Sequence, residues 1–195
     1  MKVVIIEYNA GNIQSVRYAL ERIGIKTILS NDHATILSAD KIIFPGVGEA
    51  SSAMKSLQQN NLHLLIPKLK QPVLGICVGM QLLCKYSEEN NTTCLGVFDE
   101  PVKKFESGAM LKIPQVGWNT IYHLSSPLMQ DVPEESYCYF VHSYYVPHNQ
   151  YAIAITNYIQ PYASAIHKNN FYGVQFHAEK SAQIGEKILK NFIAL

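Results

Sequence analysis

Short apolar runs alternate with helix-periodic segments over residues 1–86, and this alternation constrains the fold more than any other feature. The runs are rich in Val and Ile and have the length of buried strands, whereas the segments between them repeat apolar residues at helical spacing. The predicted strands are 2–7, 26–29, 39–44 and 73–76, and the predicted helices are 13–23, 50–58, 62–69 and 81–84. This order predicts a parallel sheet with helices on both faces, which binds ligands at the carboxyl ends of its strands.

The pattern changes after Glu89 to short β-like runs separated by frequent turns. These runs are 97–98, 102–105, 118–122, 137–142, 151–158, 163–167 and 171–176. Their close spacing predicts antiparallel or mixed strands. Residues 181–195 are predicted to close the chain as a helix with Ser181 as its cap. The expected buried stripe of this helix is Ile184, Ile188, Leu189 and Phe192.

The composition is that of an ordinary globular protein, with 48% hydrophobic residues, 16% charged residues and a formal net charge of +1. We expect one domain over residues 1–195. A basic excess and an apolar run of membrane-spanning length are both missing, which argues against nucleic-acid binding and a membrane span. The first eight residues are typical of a strand and not of a signal peptide. The four cysteines lack metal-type or disulfide-scaffold spacing, which predicts a reducing, cytoplasmic setting with no metal and no cofactor.

Cys77 lies at the predicted junction between the strand 73–76 and the helix that follows, with Gly75 and Gly79 on either side. A nucleophile on such a sharp turn projects out of the sheet, and small neighbours allow the turn and the approach of substrate. The helix N-terminus favours thiolate over thiol and can stabilise an oxyanion. The alternative is that Cys77 is a small buried apolar residue, as most free cysteines are.

A glycine-rich turn, Pro45-Gly46-Val47-Gly48, follows the third predicted strand and precedes a helix. This arrangement predicts a cradle of backbone N–H groups. It lacks the third glycine and the Gly-Lys-Ser/Thr ending of a phosphate loop. A plain tight turn is the alternative.

The last predicted strand ends at His177, and Glu179 lies two residues further along, so that an extended segment places both on one side. The carboxylate can then orient the imidazole, and the imidazole can deprotonate a thiol, which makes Cys77, His177 and Glu179 a nucleophile–base–orienter set. His142 ends another predicted strand. The remaining histidines are isolated in polar or loop-like contexts and are predicted to be surface or structural residues: His33, His63, His123, His148 and His167.

Several motifs, taken in order over essentially the whole chain, resemble the triad-type (class I) glutamine amidotransferases, and within them the imidazole glycerol phosphate synthase branch. The motifs are residues 7–12 with Ser15-Val16, 44–48, 75–81, 114–119, 140–144 and 175–181. The resemblance implies a single-domain α/β fold with a central, mostly parallel sheet flanked by helices, and additional antiparallel or mixed strands in the second half. It also implies that Cys77 attacks glutamine and forms a thioester, with His177 as general acid/base and Glu179 as its orienter.

The same resemblance implies roles for further residues. The oxyanion hole would use the backbone of Val47, Gly48 and Val78. The glutamine substrate would contact Gly48, Gln81, Glu89, Ser143 and Tyr144. A cyclase/synthase subunit, forming a heterodimer and receiving ammonia through a protected path, would contact Asn12, Ser15, Trp118 and Lys180. Two alternatives stay open. Glu89, which is adjacent to Glu88, is on the first alternative a solvated charge, and Trp118 is on the second a core residue.

Three positions depart from the family pattern: Glu7 and Asn9 stand where aspartate and glycine are expected, and Ala178 stands where proline is usual between the histidine and the glutamate. Proline would stiffen the turn at residue 178, so we expect that alanine leaves the geometry of the turn less pre-set. The sequence does not distinguish the imidazole glycerol phosphate synthase branch from a related branch that supplies ammonia to a partner acting on a surface-sugar precursor. A catalytically silent binding module is disfavoured by the complete triad, and a pyridoxal-phosphate-type glutaminase by the missing Gly-Gly-Glu-Ser segment.

Overall fold

The computed structural model describes residues 1–8, 12–106 and 111–195. Its first half alternates strands and helices, as the apolar periodicity predicts. The elements are β1 (Val3–Ile6), α1 (Ile13–Arg22), β2 (Thr27–Ser30), α2 (His33–Leu37), β3 (Lys41–Gly46), α3 (Ala50–Gln59), α4 (Leu62–Leu65), β4 (Val73–Cys77) and α5 (Val78–Leu83). Residues 9–11 of the motif 7–12 lie outside the described residues.

The second half consists of strands followed by one helix. The elements are β5 (Cys84–Ser87), β6 (Thr92–Thr93), β7 (Phe98–Lys104), β8 (Gln115–Ile121), β9 (Ser136–His142), β10 (Tyr144–Pro147), β11 (Ala152–Tyr158), β12 (Gln160–Lys168), β13 (Phe171–Val174) and α6 (Ala182–Ala194). Short 3₁₀ turns lie at Ile66–Lys68, Glu89–Asn91, Pro127–Met129 and Ala178–Lys180.

One large mixed sheet organises these strands in the order β2-β1-β3-β4-β13-β12-β10-β7-β5-β6, with β11 paired to β12. The pairs from β2 to β13 are parallel, and antiparallel pairing begins between β13 and β12. Strands β8 and β9 form a separate antiparallel pair. The predicted α/β fold, mostly parallel in its first half and mixed in its second, is confirmed.

The core explains why the first strands read as continuous apolar runs. Every residue of β1 and of β4 is buried, as expected for parallel strands covered on both faces. In α6 the buried residues include Ile188, Leu189 and Phe192, while Ile184 is only partly buried. No helix in the described part of the chain is long and apolar enough to cross a membrane.

Some predicted boundaries are wrong. Cys84 begins β5 and does not end a helix, and the runs 97–98 and 102–105 are replaced by the single strand β7. The last strand ends at Val174, three residues before the predicted end at His177. Ser181 precedes α6, but its side chain makes no capping hydrogen bond. Strand β10 and helix α2 were not predicted.

Candidate active site

Three adjacent parallel strands end at the same edge of the sheet. Gly46 of β3 pairs with Cys77 of β4, and Ile76 of β4 pairs with Val174 of β13. The turn after β3, the Cys77 junction and the segment after β13 therefore meet at the carboxyl ends of the strands. This is the place where open α/β sheets bind ligands.

Cys77 occupies a sharp junction between β4 and α5. Its φ of 53° and ψ of −113° lie outside the regions that side-chain-bearing residues prefer, so the backbone is held under strain here. A Cβ atom on Gly79 would lie 2.0 Å from the carbonyl oxygen of Phe44, so only glycine allows α5 to lie this close to β3. The geometry is that of a nucleophile elbow, as the sequence predicts.

All four thiols are buried, but the three other than Cys77 are unsuited to nucleophilic chemistry. Burial raises the pKa of Cys94 and that of Cys138 to about 12, and it also raises the pKa of Cys84. Thiolate is the reactive form, so these cysteines stay protonated and inert at neutral pH. All four cysteines are free of disulfide bonds, and among them Cys77 lines the cleft.

His177 and Glu179 are joined by a hydrogen bond of 2.8 Å between Nδ1 and Oε1. The carboxylate only accepts, so Nδ1 carries the proton and Nε2 is left for Cys77. Burial alone would lower the pKa of His177, but hydrogen bonding and charge from Cys77 and Glu179 outweigh it and raise the pKa to about 10. Glu179 lies in a 3₁₀ turn and not in the extended segment that we predicted, yet the pair meets.

Hydrogen bonds to Ser181 and to strand β9 hold the turn that carries His177 and Glu179. The Ser181 hydroxyl donates to the carbonyl oxygen of His177 at 2.7 Å and accepts from the Tyr139 N–H at 3.0 Å. The N–H of His177 donates to the carbonyl oxygen of Tyr139 at 2.9 Å. Ser181 therefore anchors the turn to β9, which explains why it does not cap α6.

Asn12 contacts the triad, although the resemblance placed it at a partner interface. Its Nδ2 donates to Glu179 Oε1 at 2.6 Å. The second oxygen, Glu179 Oε2, is buried and has no hydrogen-bond partner among the described residues. Sequence reasoning did not assign this contact, because 167 residues separate Asn12 from Glu179.

A cleft of about 500 Å³ opens beside Cys77 and His177. Its size suits a small polar metabolite. It is lined by Asn12, Val47, Gly48, Cys77, Val78, Gln81, Glu89, Pro114, Val141, His142, Ser143, Tyr144, His177 and Lys180. The structure thus brings together every residue expected in the oxyanion hole and in substrate binding, whereas Ser15 and Trp118 lie outside this lining.

Backbone N–H groups for an oxyanion come from two elements. Val78 is the first residue of α5, where N–H groups lack partners within the helix. Val47 and Gly48 lie between β3 and α3, and Gly48 has a φ of +88°, which favours glycine. These groups lie on the lining of the same cleft.

Glu89 reaches back to the start of α3. Its Oε2 accepts from the N–H of Ala50 at 2.7 Å. Burial raises the pKa of Glu89; the Ala50 N–H opposes this rise, and the charge of Glu49 adds to it. Glu89 is therefore a partly buried carboxylate on the cleft and not a freely solvated charge.

Two glutamine side chains lie under the cleft. Gln81 Nε2 donates at 2.9 Å both to the carbonyl oxygen of Tyr144 and to Gln175 Oε1. Gln175 Nε2 lies 3.8 Å from Cys77 Sγ. The sequence analysis did not predict this contact of Gln175, because in the Gln-Phe-His run only the histidine was singled out.

Trp118 is not a core residue, since 53% of its surface is exposed on β8. It lies opposite Tyr139 on β9, with ring centroids 5.8 Å apart. Val116 and Tyr137 share this face by register and are 60% and 61% exposed. The β8–β9 pair therefore presents an apolar surface to solvent.

Ser15, the other residue expected at the partner interface outside the cleft lining, is half-buried in the first turn of α1.

Comparison with known proteins agrees with this geometry. The family model for class-I glutamine amidotransferases matches residues 4–195. The chain is 51% identical to the imidazole glycerol phosphate synthase subunit HisH of Bacteroides fragilis over 100% of both chains. It is 45% identical to HisH of Photobacterium profundum, over 100% of this chain and 97% of the relative.

Solved structures show the same fold at low sequence identity. PurLQS from Thermotoga maritima superposes with a TM-score of 0.75 at 16% identity, over 99% of this chain and 97% of the other. A glutamine amidotransferase from Thermotoga maritima gives a TM-score of 0.62 at 18% identity, over 100% of this chain and 81% of the other. Since the family match runs nearly from end to end and full-length relatives share half of the sequence, this chain is a member of the class-I glutamine amidotransferase family.

Proposed function

We propose that this protein is the glutaminase subunit of imidazole glycerol phosphate synthase, releasing ammonia from glutamine for a cyclase/synthase partner in histidine biosynthesis. The observation that carries the proposal is the meeting of Cys77 with the hydrogen-bonded pair His177 and Glu179 at one cleft. Full-length relatives at 43–51% identity bear the name of that subunit, which supports the histidine pathway over the surface-sugar alternative.

The first half of the reaction forms a thioester. His177 takes the thiol proton, and the Cys77 thiolate attacks the carboxamide carbon of glutamine. The C–S bond forms while the C=O π electrons move to oxygen, and the N–H groups of Val78 and of the turn at Val47 and Gly48 stabilise this oxyanion. The oxyanion collapses, the C–N bond breaks, and His177 returns the proton to the departing nitrogen as ammonia leaves.

The second half regenerates the enzyme. Water attacks the thioester carbon while His177 removes a proton from it, and the new oxyanion uses the same N–H groups. Collapse breaks the C–S bond, and the Cys77 sulfur takes back the proton from His177. The new carboxyl group loses its remaining proton to solvent, and glutamate leaves. Glu179 holds the imidazole in the Nδ1–H tautomer and stabilises the imidazolium in each half.

The cleft can hold the rest of glutamine by charge and hydrogen bonding. The Glu89 carboxylate suits the substrate ammonium group. Both hydrogen bonds of Gln81 Nε2 point into the protein, so its carbonyl oxygen is the group it offers to substrate. Ser143 and Tyr144, between β9 and β10, complete this side of the lining.

The apolar face of β8–β9 is our candidate for the partner surface. It carries Trp118, Val116 and Tyr137, and Val141 of β9 belongs to the lining of the cleft as well. Lys180 is exposed beside the same cleft. A synthase docked there would cover the cleft mouth and receive ammonia without its release to solvent. We place this heterodimer in the cytoplasm, where free thiols persist.

The central test is the loss of glutamine hydrolysis in Cys77→Ala. We expect the rate to fall at least about 10³-fold, because nucleophile removal abolishes the covalent route. An electrophilic glutamine analogue should label Cys77 in the wild type, as read by peptide mass spectrometry. Cys138→Ala, at a buried thiol, is the matched control and should retain activity. Labelling of another cysteine with Cys77 spared would overturn the assignment.

A second measurement separates the two proteins of the proposed synthase. Cys77→Ala bound to its partner should still form product from ammonium salts and none from glutamine, since the acceptor site belongs to the partner. An assembled complex that uses neither nitrogen source would contradict a two-site mechanism.

A further inference from the structure

A chain of hydrogen bonds under the cleft ends at the nucleophile. It begins at the carbonyl oxygen of Tyr144, passes through Gln81 and Gln175, and reaches Cys77 Sγ. Gln175 is 0% exposed and Gln81 is 2% exposed, so water does not compete for these bonds. Neither side chain is charged, and the two are joined at 2.9 Å.

The direction of every bond in this chain is dictated by its first member. A backbone carbonyl oxygen can only accept, so Gln81 must turn its Nε2 toward Tyr144. The same nitrogen faces Gln175, which must therefore present its carbonyl oxygen to Gln81. This leaves Gln175 with its N–H₂ group directed at the sulfur of Cys77. An inverted Gln175 would place two buried amide donors against each other and leave both N–H groups without an acceptor there.

His142 anchors the start of the chain. Its Nδ1 lies 2.7 Å from the same Tyr144 oxygen, and its Nε2 lies 3.1 Å from the Tyr162 hydroxyl. Burial lowers the pKa of His142 to about 4, opposed by the bond to Tyr144 and reinforced by the charge of His177. The Tyr144 oxygen thus accepts bonds from two fixed side chains and cannot turn away.

We propose that Gln175 is a further catalytic residue, which donates a hydrogen bond from Nε2 to the Cys77 thiolate and so favours the charged nucleophile. The proposal rests on the proposed function only in taking Cys77 as the reacting group. A hydrogen bond to an ionised acceptor in a buried site is stronger than one to a neutral acceptor, so this contact favours thiolate over thiol.

Val141 supplies the opposing contact. Its carbonyl oxygen lies 3.8 Å from Cys77 Sγ and can accept a bond from the protonated thiol only. The sulfur therefore has one neighbour that favours the thiol and one that favours the thiolate. Loss of the thiol proton to His177 exchanges the bond to Val141 for a stronger bond from Gln175.

The test measures the reactivity of Cys77 against pH, with no glutamine present. Iodoacetamide alkylation, followed at Cys77 by peptide mass spectrometry, reports the thiolate. Gln175→Met keeps the side-chain length and removes the donor. We expect the half-maximal pH to rise by about one unit in Gln175→Met, which is a tenfold loss of rate on the acid side.

Gln71→Met is the matched control. Gln71 also loses an amide hydrogen bond, from Nε2 to the carbonyl oxygen of Ile36 at 2.8 Å, but it precedes β4 at the end remote from Cys77. Its alkylation profile should equal that of the wild type. Identical profiles in folded Gln175→Met and Gln71→Met would overturn the proposal.

A measurement on the wild type covers the case in which Gln175→Met fails to fold. The side-chain ¹⁵N–¹H resonances of Gln175 should move with the same pH midpoint as Cys77 alkylation, and this step should vanish in Cys77→Ala. Resonances that do not respond to that midpoint would overturn the proposal. Because neither readout requires glutamine, a wild type that fails to hydrolyse glutamine would refute the proposed function and leave this result standing.

Discussion

Asn12 and His177 donate to the same oxygen atom of Glu179, at 2.6 Å and 2.8 Å. Asn12 precedes α1, whereas His177 and Glu179 follow β13, so the contact ties the two ends of the chain together at the triad. The amide dipole of Asn12 holds the carboxylate in the orientation that His177 requires. A protein that contacts the start of α1 would therefore reach the orienter of the triad through one side chain.

Asn12→Ala should lower kcat for glutamine hydrolysis about tenfold with little change in KM, because Glu179 would lose a charge-assisted hydrogen bond that steadies the imidazole. Steady-state glutamate release measures both constants. Asn191→Ala is the control, since it also removes an amide donor, one that bonds to the carbonyl oxygens of Leu128 and Gln130 away from the cleft. An unchanged kcat in Asn12→Ala would show that Glu179 needs no second donor.

Glu89→Gln should raise KM for glutamine about tenfold or more, with a smaller effect on kcat, if the carboxylate binds the substrate ammonium. The raised pKa of Glu89 also sets how KM for glutamine depends on pH. The carboxylate loses its charge at a higher pH than an exposed glutamate would, so wild-type KM should rise as pH falls through that region. Glu89→Gln should lack this acid limb.

Glu88→Gln is the matched control for the Glu89 experiment. Glu88 is the exposed neighbour, and its Oε2 accepts from the Lys104 N–H at 2.7 Å, outside the lining of the cleft. Equal KM values and equal acid limbs in both variants would assign the binding of the ammonium to some other group.

The sequence predicted those parts of the fold that depend on local periodicity. The buried runs of β1, β3 and β4 and the junction at Cys77 needed only apolar patterning and small residues, since both are read within a few positions. Cys84 was assigned to a helix because it extends an apolar helical segment, but pairing with Phe98 of β7 decides its conformation. Such long-range pairing leaves no local signal.

The candidate site also contains residues that the sequence predicts and contacts that it does not predict. The residues Cys77, His177 and Glu179 could be named because they lie at or just after predicted strand ends, within motifs that resemble those of the family. The contacts of Asn12 with Glu179 and of Gln175 with Cys77 could not, since amide side chains occur everywhere and only folding reveals what they face. Ser181 was assigned a capping role from its position, although its hydroxyl instead bonds to His177 and Tyr139.

Trp118→Ala should weaken binding of the synthase partner at least about tenfold, because exposed aromatic residues that become buried contribute much of the binding energy at interfaces. The fold should be retained, since the side chain is 53% exposed. Titration calorimetry with the purified partner measures the Kd. Leu37→Ala, at a residue 57% exposed on α2, is the control and should bind as the wild type does. Equal affinity in both variants would remove β8–β9 from the interface.

Lys180→Ala should reduce the stimulation of glutaminase activity by the partner while leaving the protein folded. Lys180 is exposed at the cleft, and its backbone N–H donates to the carbonyl oxygen of His177 at 3.0 Å, so a contact at its side chain reaches the triad turn directly. Glutamate release is compared with and without partner, in the wild type, in Lys180→Ala and in the exposed control Lys190→Ala. Rates that do not respond to the partner in any sample would rule out this coupling.

Ala178→Pro should stabilise the protein. Ala178 is the first residue of the 3₁₀ turn, where a proline ring matches the backbone, and His177 before it is already extended, with φ −80° and ψ 95°. Among the described residues, the Ala178 N–H makes no backbone hydrogen bond outside regular elements that proline would remove. The free energy of unfolding should therefore rise by about 0.4–1 kcal/mol, through lower entropy of the unfolded chain. The melting temperature, measured by calorimetry, should rise by about 1–4 °C.

Ala182→Pro is the opposite control for Ala178→Pro. Ala182 has a φ of 48°, which proline cannot adopt, so this variant should be less stable than the wild type. If both substitutions lower the melting temperature equally, the proline ring does not fit beside α6. The turn would then already be as restrained by Ser181 and Asn12 as a proline could make it.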